Sequence, residues 1–110
     1  MEEIDVENLI NDMTKAASIE LKSIWKSVSE DLTGGIKKLA EEIKNIQRWK
    51  AENKITEERA KDHIEMQKNA IMSIFLSKQG IEVIKVEKAI NAALDGISNS
   101  VNKVIGWKLL

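Results

Sequence analysis

The chain has 110 residues, 43% of them hydrophobic, which limits it to a single domain over residues 1–110 and is too apolar for intrinsic disorder. Lys+Arg 17 against Asp+Glu 18 leave a net charge of -1, so no long-range field selects a nucleic acid. With 0 Cys there are no disulfides or thiolate metal sites, and with 0 Pro, one Phe and no Tyr the usual residues of turns and strand faces are missing, which points to long helices.

The opening Met1-Glu2-Glu3-Ile4-Asp5 is acidic where a secretory signal is basic and then apolar. No run approaches the roughly 18 apolar residues that a membrane-spanning helix needs, so a cytoplasmic protein is expected. Asp5 reads as an N-cap, with Ile4 before it and Leu9 four positions into the helix as a hydrophobic staple. Val6, Leu9, Ile10, Met13, Ala17, Leu21, Ile24, Val28 and Leu32 then recur at steps of three and four, one apolar stripe without interruption. Trp25 sits at its edge, and Ile19 falls outside it.

Thr33-Gly34-Gly35 interrupts the pattern, because each Gly costs about 1 kcal/mol in a helix interior relative to Ala. A bend or break is expected there. The stripe resumes at Ile36, Leu39, Ile43, Ile46 and Lys50, with Trp49 off the seam and Glu41 and Glu42 on a solvated face. The stretch Ala51 to Ala60 then carries a helix stop and restart. Asn53 suits the left-handed residue that closes a helix, and Thr56 offers an N-cap hydroxyl ahead of Glu57 and Glu58, whose charges favour the helix start.

Beyond the turn, Ala60, Ile64, Gln67, Ile71, Ile74, Phe75 and Lys78 mark one helix face, while Met72 and Leu76 point elsewhere. Residues 70–76 are therefore apolar nearly all the way round. After Gly80 the stripe Val83, Val86, Ile90, Leu94, Ile97, Val101, Val104 and Ile105 is rotated by about a third of a turn on the helical wheel. On its flank Ala89, Ala92, Ala93, Gly96 and Ser100 are small residues that let two backbones approach closely. The tail carries Trp107, Leu109 and Leu110, apolar residues that call for a docking surface.

The expected fold is all-α: an antiparallel helical hairpin of four-helix-bundle type, with helices at about 5–32, 36–52, 57–79 and 81–105. Breaks are placed at Gly34-Gly35 and Gly80, and the hairpin turn at 53–56. An elongated hairpin that pairs with a second copy best accommodates helices of this length. In size and turn-centred helical pairing the chain resembles the small secreted helical-hairpin proteins with Trp-x-Gly at the turn. Its own turn is Asn53-Lys54-Ile55-Thr56, and Trp25-Lys26-Ser27 and Trp49-Lys50-Ala51 both lack the Gly, so no property is carried over.

Candidate chemistry is sparse. His63 is the single histidine, and its helical neighbours Arg59 and Gln67 complete neither a catalytic relay nor a zinc site. The Glu residues at 41, 42, 57, 58, 82 and 87 flank the stripes, and none stands three positions before His63, as a carboxylate di-metal centre requires. Thr33-Gly34-Gly35 lacks the spacing of a phosphate loop. No cofactor or metal is expected, and no enzymatic activity. Lys37, Lys38, Lys44, Arg48, Lys50 and Lys54 are interleaved with Glu, as on a solvated helix face and unlike a phosphate-tracking groove.

The expected role is that of a non-enzymatic structural or interaction protein that self-associates, as a homodimer or higher, through apolar helix faces. An unknown protein partner is a further possibility. The residues expected at the interface are Ile19, Trp25, Trp49, Met72, Phe75 and Leu76, the flank Ala89, Ala92, Ala93, Gly96 and Ser100, and the tail Trp107, Leu109 and Leu110. The alternative is a peripheral membrane-binding or membrane-active protein that uses the amphipathic C-terminal helix 81–110.

Overall fold

Capping chemistry begins the first helix where the residues dictate. The Asp5 carboxylate accepts the Asn8 N–H at 3.2 Å, and the staple residues Ile4 and Leu9 are both buried. The computed structural model describes residues 3–110; Met1 and Glu2, which open the acidic N-terminal segment, lie outside the described residues. The fold is all-α. Its helices are α1 (Val6–Leu21), α2 (Trp25–Ala51), α3 (Glu57–Leu76) and α4 (Val83–Ile105), with a short 3-10 turn at Lys22–Ile24 between the first two.

The α2–α3 turn forms as its residues require. Asn53 adopts φ 56, its N–H donates to Lys50 O at 3.0 Å, and the Lys54 N–H reaches back to Trp49 O at 2.8 Å. This pair of bonds is a Schellman closure. Thr56 then accepts the Arg59 N–H at 3.1 Å to start α3. The expected break at Gly80 is also present: α3 ends at Leu76, and Gly80 takes φ 79 in the connection to α4.

The four helices alternate in direction. Ile4 N–H donates to Gln47 Oε1 at 3.0 Å, so α1 runs antiparallel to α2. Lys78 pairs with Asp31 at 2.5 Å, which places the end of α3 beside the beginning of α2. α4 returns along α1, with Gly96 beside Ala16. Each helix thus packs against two neighbours around one core, which includes Met13, Leu32, Ile36, Phe75, Ile90 and Ile97, each less than 2% exposed. With extents of 44 × 22 × 18 Å and a radius of gyration of 13.9 Å, the chain is a closed bundle and not the elongated hairpin.

The other correction concerns the first break. The α2 helix runs straight through Gly34-Gly35, and the chain bends at Lys22–Ile24 instead. A Cβ at position 35 would lie 2.6 Å from Ile71 Cγ1, 3.0 Å from its Cδ1 and 3.2 Å from its Cγ2. Gly35 is therefore the site where α3 presses onto α2, and close packing outweighs the local entropy cost. No local residue requires the bend at Lys22, which takes φ 53 and ψ -119. That region is almost reserved for glycine, and a lysine there costs about 1–3 kcal/mol.

The two adjacent glycines separate these effects. Gly35→Ala is expected to destabilise the bundle by about 1–3 kcal/mol, because both branches of the buried, β-branched Ile71 stand in the way. Gly34→Ala, with nothing within 4 Å of the added methyl, is expected to stabilise it by about 0.5–1 kcal/mol. Urea unfolding of the two variants checks both signs.

Candidate functional site

Two depressions and one apolar surface are the candidates. The first depression, about 580 Å³, opens beside the α2–α3 turn between Trp49, Lys54, Ile55, Arg59 and His63. The Trp49 and His63 rings are 5.4 Å apart and inclined at 47°, and the Arg48 guanidinium lies 6.0 Å from the indole centre. Glu42 does not point to solvent as expected but turns toward α3. One of its oxygens accepts from Gln67 Nε2 at 3.3 Å, and the other lies 4.0 Å from His63 Nδ1. That second oxygen is buried with no hydrogen-bond partner, so the pair is too long to be a relay.

The second depression, about 390 Å³, lies at the same end of the bundle, between Glu3, Lys44, Lys50 and Ile105. Glu3 and Lys44 pair at 3.4 Å. Lys50, grouped above with a solvated helix face, turns inward: it donates to Ile105 O at the end of α4, and its ammonium lies 4.8 Å from the centre of the Trp107 ring. A cation is favoured there by the helix dipole and by the indole face. Both depressions are built from groups that already serve the fold. Among the described residues, no cluster of His, Asp and Glu could hold a metal ion, and no helix is long and apolar enough to cross a membrane.

The apolar surface is at the other end. Ile19 near the end of α1, Ile74 and Leu76 at the end of α3, and Ile84 at the start of α4 are 64%, 42%, 70% and 62% exposed. All four belong to the end where the parallel helices α1 and α3 finish and α4 begins. Met66, midway along α3, is exposed as well.

The residues expected at an interface divide three ways. Phe75, Ala89, Ala93 and Leu109 are packed within the chain's own core and are not surface residues, because neighbouring helices of the same chain cover them. Trp25, Trp49, Met72, Trp107 and Leu110 are half-buried against that core, and Ala92 is half-buried too. Only Ile19, Leu76, Gly96 and Ser100 are exposed. The backbone that approaches the small-residue flank is α1 itself: a Cβ at Gly96 would meet Ala16 Cβ at 3.9 Å.

Ile84 was not singled out by its pattern, although its position one residue past Val83 puts it off the α4 stripe. Asn102, on no apolar stripe, holds the tail. Its Oδ1 accepts the N–H groups of Leu109 and Leu110, each at 2.9 Å, and its Nδ2 donates to Leu110 O at 3.2 Å. Gly106, at φ 84, turns the chain so that this clamp can close and Leu109 can enter the core.

No family model, curated protein or solved structure matches this chain.

Asn102→Ala is expected to release the tail, leave two amide hydrogens without acceptors and cost about 1–3 kcal/mol. Amide hydrogen exchange at Leu109 and Leu110 should speed up far more than exchange within α4.

Proposed function

We propose that this chain is a non-enzymatic helical interaction protein that associates with itself through the apolar end of the bundle. The observation that carries this reading is the set Ile19, Ile74, Leu76 and Ile84, large side chains left in water at one end of a body only 22 × 18 Å across. Single exposed apolar residues are ordinary, but four large ones gathered at one end of so small a body favour an association surface there. Near-neutral net charge adds no repulsion between copies.

The membrane-surface reading has less support. The apolar face of α4, with Val86, Ile90, Leu94, Ile97 and Val101, is already buried in the bundle, so lying on a lipid surface would require the fold to open.

Sedimentation equilibrium tests the proposal. The native protein is expected to dimerise in the micromolar range, and the paired substitutions Leu76→Glu and Ile84→Lys to weaken dimerisation by roughly tenfold or more through the cost of burying charge. A native protein that stays strictly monomeric at high micromolar concentration would defeat it.

A further inference from the structure

We infer that the Lys22–Ile24 bend is a hinge through which two copies exchange α1, each laying its first helix on the other's α4. This inference rests on the self-association reading and specifies how that association is made.

The local evidence is a conflict between backbone and sequence. Leu21 before the bend and Ile24 and Trp25 after it keep right-handed helical dihedrals, while Lys22 alone is recorded at positive φ. The segment Leu21-Lys22-Ser23-Ile24-Trp25 contains neither Gly nor Pro, so nothing in it favours the bend. Returning Lys22 to helical dihedrals would relieve its strain and join α1 to α2 as one helix from Val6 to Ala51, roughly 70 Å long at 1.5 Å per residue. Met13, Ala17, Leu21, Val28 and Leu32, all buried, follow one another at steps of four and seven across the bend, so the joined helix keeps a single apolar face.

That face has to be covered, and the surface shaped for it is already known. In the closed chain α1 lies against α4, where Ala16 and Gly96 bring the backbones together. An α1 that has swung out would find the same surface on a second copy, with every native contact reproduced and only the hinge changed, the usual reason that exchanging an element is a low-cost route to a dimer. A straight α1–α2 helix sets the two bundles end to end, hinge end against hinge end. Leu76 and Ile84 stand at that end, so the exchange also brings together the apolar residues that the monomer leaves in water. The dimer would be close to double the 44 Å length of one bundle.

A cysteine pair reads the exchange directly. The chain has 0 Cys, and the 3.9 Å between Ala16 Cβ and a Cβ at Gly96 suits a disulfide. The double variant Ala16→Cys/Gly96→Cys is oxidised at a concentration where sedimentation shows it to be dimeric, then run on a denaturing, non-reducing gel. Exchange predicts a covalent dimer that reducing agent dissolves, while Gly96→Cys alone gives none. A dimer in solution that runs as a cross-linked monomer on the gel overturns the exchange and leaves face-to-face association standing; a protein with no dimer at all overturns both. Lys22→Gly supplies an independent reading, because glycine removes the strain of the closed hinge. It is expected to raise the dimer dissociation constant by roughly tenfold or more, and an unchanged or tighter dimer counts against the hinge.

Discussion

The packing of α1 onto α4 is the contact on which the rest of the bundle depends. It joins the two ends of the chain, and it is made at the expense of Lys22, whose backbone takes a conformation that its side chain opposes. Small residues make it possible. Ala16 on one helix and Gly96 on the other bring the two backbones close, and Met13, Ile90 and Ile97 are enclosed in the core that the helices share. A second close approach, Gly35 under Ile71, seats α3 on α2 in the same manner.

The helix termini were legible in the sequence because their chemistry is local. Asp5, Asn53, Thr56 and Gly80 act on backbone groups within a few residues, so each could be read where it stands, and each does what its type allows. The first break was not legible for the opposite reason. Gly34-Gly35 carries the local signal for a bend, but the benefit of keeping the helix straight comes from Ile71, far along the chain. Lys22–Ile24 carries no local signal at all, and its bend lays α1 against α4, far along the chain.

The candidate interface shows the same division. Ile19 and Leu76 stand off their stripes and are exposed, as their positions on the wheel imply. Phe75, Ala89, Ala93 and Leu109 were placed on a surface because a helical wheel tells which residues share a face, not which neighbour covers it. The covering neighbours are helices of the same chain. Asn102 escaped notice because its partners are backbone groups of the tail, which no side-chain pattern reveals.

One consequence lies in the order in which the chain is made. The surface that α1 needs is formed by α4, so α1 leaves the ribosome long before its partner exists. Until then α4 does not cover α1, and the apolar side of α1 stays open. Closing the bundle waits for α4 to emerge, and on a polysome a neighbouring nascent chain carries the same surface.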